Sequence, residues 1–386
     1  MNTSMLQRNL RRATPLVGLF AVGLLAMMPA LQRSMGFPLY NLVFLYLAFF
    51  WTIQATSWNI LSGYSGYFSF GQTAFYGAGI YTTAILGSRY GWSLLPILPV
   101  AGLIGAAIAA AVGLLVFRLR KLSGEVFALF TLAVALGIGA LINNLRVLDG
   151  GRGIVVRGLE FPGWLATRSQ TEALYYLGLA LTVIVLIIAY AIQHSRFGAG
   201  LFAIQDDEKV AEAVGVPTFR YKMAIFVISG TIAAVGGALH AVQVYFISPA
   251  EVFTLRIPVF VILMSLVGGR RYWFGPLLGA FLIHTISDRM AGAGFAEANQ
   301  IVLAIVLIVA TLFLRNGIAG RLVERPGPPL ITFAVVAAVG SLLFGQSAIS
   351  AAAYAMAFTL VILFIPDGLL RRMIPTRGRG EEVVAK

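Results

Sequence analysis

The sequence predicts an all-α polytopic membrane protein, and three observations carry that prediction. Of its 386 residues 59% are hydrophobic and only 11% are charged, against about a quarter charged in a soluble domain. The apolar residues fall in long charge-poor runs, many close to the roughly 20 residues an α-helix needs to cross a hydrocarbon core. The 28 Lys and Arg residues sit in short clusters between those runs. The net charge of +13 therefore reads as loops that orient the chain in a bilayer, not as a nucleic-acid-binding surface. The 42 glycines suit helices that pack closely in lipid. Cysteine is absent, which excludes disulfides, thiolate metal sites and cysteine nucleophiles.

The candidate spans run near 13–32, 38–61, 68–87, 93–117, 126–145, 173–193, 223–247, 257–269, 274–287, 299–314, 329–346 and 351–365. The pair 257–269 and 274–287 is short for crossing alone. With the N-terminus inside, twenty of the 28 basic residues fall on the inner loops and eight on the outer ones, so both termini are expected to be cytoplasmic. The basic cluster Arg8–Arg12 ahead of an apolar run reads as a retained signal anchor, because many spans follow it. Two loops stand out: an outer one at 146–172, with Asp149-Gly150-Gly151-Arg152-Gly153, and an inner one at 194–222.

Within the inner loop, Asp206, Asp207 and Glu208 suit a helix N-terminus, where carboxylates cap free amides and complement the dipole. Gly215 stands just past the helix end, and Pro217 follows as a stop. The expectation is one helix of two to three turns, roughly 12–14 Å long. It carries Ala211, Glu212 and Ala213, and its small residues permit close approach of another surface. Spacing alone leaves two readings open, a solvated loop helix and a docking element for a soluble partner.

Polar residues inside spans are costly and often functional. The second span ends in Thr52, Gln54, Thr56, Ser57 and Asn59, and a stretch with Gly63, Gly66, Ser69 and Gly71 leads into Gln72 and Thr73. Glycines at this density break helices, and the freed backbone must find partners or line a cavity. The cluster either lines a solute passage or joins helices by hydrogen bonds. A second interruption, with Gly268, Gly269, Trp273, Gly275 and Pro276, separates the two short spans. Paired interruptions of this kind point to a gate. No metal-ligand spacing surrounds His194, His240 or His284, so no metal site and no catalytic residue is expected. No G-x-x-x-x-G-K-[ST] loop is present, so ATP and Mg would bind on other chains. The spans hold no acidic residue at mid-depth for proton or sodium coupling. A secondary transporter or channel for urea or an amide stands as the alternative.

The segment carrying Ser195, Arg196, Phe197, Gly198, Ala203, Ile204, Asp206, Ala211 and Gly215 resembles the cytoplasmic motif of the branched-chain amino acid ABC transporter permeases. It departs at Gln205, where that pattern usually has Arg, and at Val210 and Glu212. Asn59–Phe75 resembles the same family's N-L-x-x-G-x-x-G-x-x-S-x-G-x-x-A-F signature. Leu266–Gly269 with Trp273–Ala280 resembles its Gly-Gly/Trp-Gly-Pro region, with Arg270-Arg271 where Leu-Gly is usual, and Phe246-Ile247-Ser248-Pro249 matches a further tetrapeptide. The Gly-rich outer loop favours the M-type (LivM-like) subunit over the H-type.

The resemblance covers about 38–321. It implies a permease domain over 1–321, with about ten core segments and a coupling loop at 194–222. An extension over 322–386 adds about two segments and a basic tail, and its Leu363-Phe364…Gly368-Leu369…Arg372 repeats the phrase Leu312-Phe313…Gly317-Ile318…Arg321. The implied partners are a second permease subunit (H-type or a second copy), two ATPase subunits and an extracytoplasmic solute-binding protein, in a bacterial inner membrane. Asp206, Asp207, Glu208, Ala211, Glu212, Ala213 and Gly215 would then face the ATPase.

Overall fold

The computed structural model describes residues 22–34, 38–118, 124–145, 151–292, 294, 301–308 and 317–324, less a few positions inside those ranges. The expected segments at 329–346 and 351–365 lie outside the described residues, as do the first part of 13–32 and most of 299–314. The chain divides into two units, residues 29–319 and residues 1–28 with 320–386. The first is a bundle of helices.

Helix α1 (Tyr40–Trp58) runs straight into a π-helical turn, Asn59–Gly63. Next come α2 (Gln72–Tyr90), α3 (Leu94–Val116), α4 (Gly124–Asn144) and α5 (Gln170–Gln193). Two short helices, α6 (Arg196–Asp206) and α7 (Glu208–Ala213), precede the long α8 (Thr218–Val244). The turn α9 (Pro249–Val252), α10 (Arg256–Gly268) and α11 (Gly275–Gly292) follow. Among the described residues, five stretches are long and apolar enough to cross a membrane: α3, α4, α5, α8 and Pro249–Gly268. The 19-residue α1 and α2 are more polar, with Thr52, Gln54, Thr56, Ser57, Gln72, Thr73, Thr82 and Thr83 all buried. Gln54, Ser57 and Thr83 bond to α8 and Gln72 bonds to α1, while Thr52 and Thr82 bond to carbonyls of their own helices.

Helix α8 is the spine. Its 27 residues reach about 40 Å, and α1, α2 and α3 all pack on it. Its small residues, Gly230, Ala233, Ala234, Gly237 and Ala238, let those helices approach backbone to backbone. A Cβ on Gly79 would fall on the carbonyl oxygen of Ala234, and one on Gly237 would fall on that of Tyr76. Hydroxyls lock the seams. Ser57 Oγ donates to the Ser229 carbonyl at 2.8 Å, and Ser229 Oγ returns a bond to the Ser57 carbonyl at 2.7 Å. Thr83 Oγ1 donates to Ala238 O at 2.9 Å.

At one end of the bundle, the loop after α4 is tied down by a small antiparallel ribbon. Strand β1 (Ile154–Val155) pairs with β2 (Phe246–Ile247), Ile154 opposite Ile247. Glu172, buried in the first turn of α5, accepts a 2.9 Å hydrogen bond from Arg33 Nε. Ser169 caps that helix by accepting from Glu172 N at 3.3 Å. The candidate residues for function cluster at the opposite end.

Candidate functional site

The loop 194–222 holds two helices where one was expected. Ser195 Oγ accepts from Gly198 N at 3.1 Å and starts α6. Asp207 then takes an extended backbone (φ −161, ψ 113) that ends α6, and its Oδ1 accepts from Lys209 N (2.8 Å) and Val210 N (3.1 Å) to start α7. The acidic run is indeed a helix start, but its cap is the point at which a second helix breaks. At the far end Gly215 has φ +91; its N–H reaches the Glu212 carbonyl at 3.0 Å, and Val216 N–H reaches that of Ala211 at 3.0 Å. This is a Schellman ending, which needs the left-handed residue that Gly supplies. Six residues make α7 about 9 Å long, shorter than expected. Pro217 does more than stop it, since α8 begins at the next residue.

The faces of α7 differ. Asp206, Asp207, Glu212, Ala213 and Gly215 are exposed, whereas Ala211 is buried within the chain. Glu208 turns inward, accepting hydrogen bonds from Tyr67 Oη and Lys222 Nζ. Burial opposes its charge, but the bonds from Lys222 and Tyr67 outweigh that and hold its carboxyl below the usual value. Burial and the adjacent Glu208 raise the Tyr67 hydroxyl, so it stays a neutral donor. Sequence reasoning missed Val210 and Val214, which are 60% and 73% exposed. Two valines four apart on a polar loop helix were the available signal.

The two interrupted regions meet this loop. Gln205 Nε2 donates to Gly63 O at 2.9 Å, at the end of the π-turn. Arg271 Nη2 pairs with Asp206 Oδ1 at 3.0 Å, and Trp273 N donates to Gln193 Oε1 at 2.6 Å. Asn59 Nδ2 lies 3.5 Å from the Tyr272 carbonyl. The turn 268–275 is made by glycine contacts: a Cβ on Gly268 would strike the Gly275 carbonyl, and one on Gly275 that of Gly269. Pro276 sits in the first turn of α11, where no amide is required.

Deeper in, Gln72 Nε2 donates to Gln54 Oε1 (2.8 Å) and lies 3.3 Å from Ser57 Oγ, while Gln54 Nε2 donates to Ala233 O at 3.1 Å. Gln54, Ser57 and Gln72 thus form one buried cluster joining α1, α2 and α8. Ser69 and Gly71 belong to the connection into α2, with Trp58 Nε1 on Ser69 O at 2.8 Å and Gly71 N on Ser69 Oγ at 3.1 Å. Gly66, at φ +79, turns that connection, and Thr73 is buried in the first turn of α2. Among the described residues, Thr56 Oγ1, Asn59 Oδ1 and Gln205 Oε1 are buried with no hydrogen-bond partner.

Comparison with known proteins places this architecture. The family described as "Branched-chain amino acid transport system / permease component" matches residues 41–311. The permease protein LivM of the high-affinity branched-chain amino acid transport system of Escherichia coli K12 is 28% identical over 299 residues, 70% of this chain and 68% of its own. LivM of Salmonella typhimurium LT2 is 29% identical over 287 residues, 67% of this chain and 65% of its own. The matched stretch therefore spans about two thirds of these relatives' length. LivH of E. coli K12 is 26% identical over 293 residues, covering 91% of that protein. No solved structure matches. With the matched region spanning the bundle, both interrupted segments and the paired short helices, the chain belongs to the permease family of branched-chain amino acid transport systems.

Proposed function

We propose that this chain is the LivM-type permease subunit of an ATP-driven importer in a bacterial inner membrane. In this reading the end bearing α6 and α7 is cytoplasmic, as are both termini, and about ten core segments precede the 322–386 extension. Its partners are an H-type permease or a second copy of itself, two ATPase subunits that bind ATP and Mg, and a solute-binding protein that meets the opposite end. The solute is a branched-chain amino acid, as the names of the LivM and LivH relatives state for their systems.

One observation supports this reading above the rest. A short helix, α7, capped at both ends by its own neighbours, stands at the same end of the bundle as both interrupted segments, and α6, directly before it, is bonded to them. Val210, Glu212, Ala213, Val214 and Gly215 form its outward surface, the part that would enter a groove on the ATPase. Closure of the ATPase pair on ATP would move α6 and α7. The Gly268–Pro276 turn would act as the inner gate and the Gln54–Ser57–Gln72 cluster as part of the passage. Neutral amides and hydroxyls suit a zwitterion, offering donors to its carboxylate and acceptors to its ammonium group.

Proteoliposomes holding the permease pair and ATPases, supplied with the binding protein, test the proposal. ATP-dependent uptake of L-leucine, with ATPase activity rising on addition of loaded binding protein, is the expected result. Uptake that proceeds equally well without ATP would favour a channel or secondary transporter.

A further inference from the structure

Three side chains from separate parts of the chain meet behind α7. Glu208 accepts from Tyr67 Oη and Lys222 Nζ, and Lys222 Nζ lies 3.4 Å from Tyr67 Oη. The Lys222 side chain is 10% exposed and that of Glu208 30%. Lys222 Nζ also stands 4.9 Å from the ring centroid of Tyr67 and 5.4 Å from that of Phe117. Phe127 meets Tyr67 edge-on and stacks on Phe117. A cation so enclosed has exchanged water for one carboxylate and the ring faces, so separating the group leaves a buried charge uncompensated. Apart from this triad, α7 has little hold on the bundle, since Ala211 is its one buried residue.

The other ties from the loop are an exposed ion pair and a side-chain amide. Arg271–Asp206 is exposed on both sides (50% and 71%), and pairs of that kind are weak. Gln205 bonds to the π-turn and lies against Gly66, where the connection into α2 begins. Tyr67 belongs to that connection, Gly66 to Gly71, which is bonded to the π-turn through Ser69 N on Ser62 Oγ (3.3 Å) and to α1 through Trp58 Nε1 on Ser69 O. Gln72 follows directly, with its bonds to Gln54 and Ser57.

We infer that Glu208, Lys222 and Tyr67 are positioning residues that couple displacement of α7 to the Gly66–Gly71 connection, and through it to the Gln54–Ser57–Gln72 cluster. The direction of the signal, from ATPase to passage, rests on the importer reading above; the link itself does not. Glycines at both ends of the connection let it move as a short strap, while the triad fixes it to α7 through Tyr67.

Two experiments test the link. In the reconstituted transporter, Lys222→Met and Glu208→Ala should each cut ATP-driven L-leucine uptake by roughly two- to thirtyfold, with the ATPase subunits still co-purifying. Lys222→Arg, which keeps the cation, should retain most of the uptake, and Tyr67→Phe should show the same loss more weakly. Unchanged uptake in the first two variants, or loss of ATPase binding in parallel with uptake, overturns the inference. Hydrogen exchange on the full-length permease alone needs no transport. Lys222→Met should speed exchange at 208–213 and at 67–71 together, and acceleration confined to 208–213 overturns the link. If the wild-type complex moves no L-leucine with ATP while both segments loosen together, the importer reading fails and the link stands.

Discussion

The side-chain amide of Gln205 donates a 2.9 Å hydrogen bond to the backbone carbonyl of Gly63, the last residue of the π-turn. Residues 142 apart in sequence thus join the loop helices to the point where α1 ends. π-Helical turns frequently mark functional positions because they leave backbone groups out of the regular ladder, and here one such group is taken up by a side chain of α6.

Gly66 faces that same glutamine. It has φ +79, and a Cβ there would come 3.2 Å from Gln205 Cγ. Gly66→Ala should therefore cost about 1–2 kcal/mol from backbone strain, read as a lower thermal midpoint of detergent-purified protein. Gly124→Ala, with open space around its Cβ, should stay within about 0.5 kcal/mol of wild type.

The seam between α2 and α8 should tolerate nothing larger than glycine at position 79. The obstacle is the backbone of Ala234, which cannot rotate away as a side chain could. Gly79→Val should cost about 3 kcal/mol or more and abolish the monodisperse peak in fluorescence-detected size exclusion. A normal peak would show that the two helices can separate without loss of the bundle.

The outward face of α7 separates docking from folding. Ala213 is exposed at a position of ordinary helical backbone, so Ala213→Trp should leave expression and thermal midpoint unchanged while abolishing co-purification of the ATPase subunits. Gly215→Trp is a poorer probe, because φ +91 there strains any side chain and disturbs the helix ending. Full co-purification of Ala213→Trp would count against docking through this face.

The Glu208 cluster gives a pH signature with a defined sign. Its carboxyl lies below its ordinary value of 4.5 in the folded chain, so the unfolded chain binds the proton more readily. The stabilisation is fully present above about pH 4.5 and disappears as pH falls through the folded value. The difference in thermal midpoint between wild type and Glu208→Gln should be constant from neutral pH down to that point and narrow below it. A difference that instead varied between pH 6 and 8 would assign the effect to another group.

Much of this was legible in the sequence, for a physical reason. Charge-poor runs report where helices cross, and they located α3, α4, α5, α8, α10 and α11 within a few residues. Capping chemistry is equally local, so Asp207 and Gly215 could be read as the ends of α7. Facing is not local. Nothing near Glu208 in sequence says that its carboxylate points inward, because one partner lies 14 residues on and the other 141 residues back. The same holds for Gln54, Ser57 and Gln72, whose polar character was evident but whose mutual bonds require α1 and α2 to be already folded together. Helix α6 was missed because Gly198 and Gly200 lower its propensity; the bundle supplies the stability by burying Leu201 and Ile204.

The capped ends of α7 have a further consequence. A free peptide of six residues does not hold a helix in water, yet here Asp207 and Gly215 close both termini before any partner arrives. A partner that binds this element meets a backbone already ordered, so the roughly 1–2 kcal/mol per residue that fixing a backbone costs does not fall on the binding step. Affinity is then set by what Val210 and Val214 bury, and the contact can form and release repeatedly without refolding.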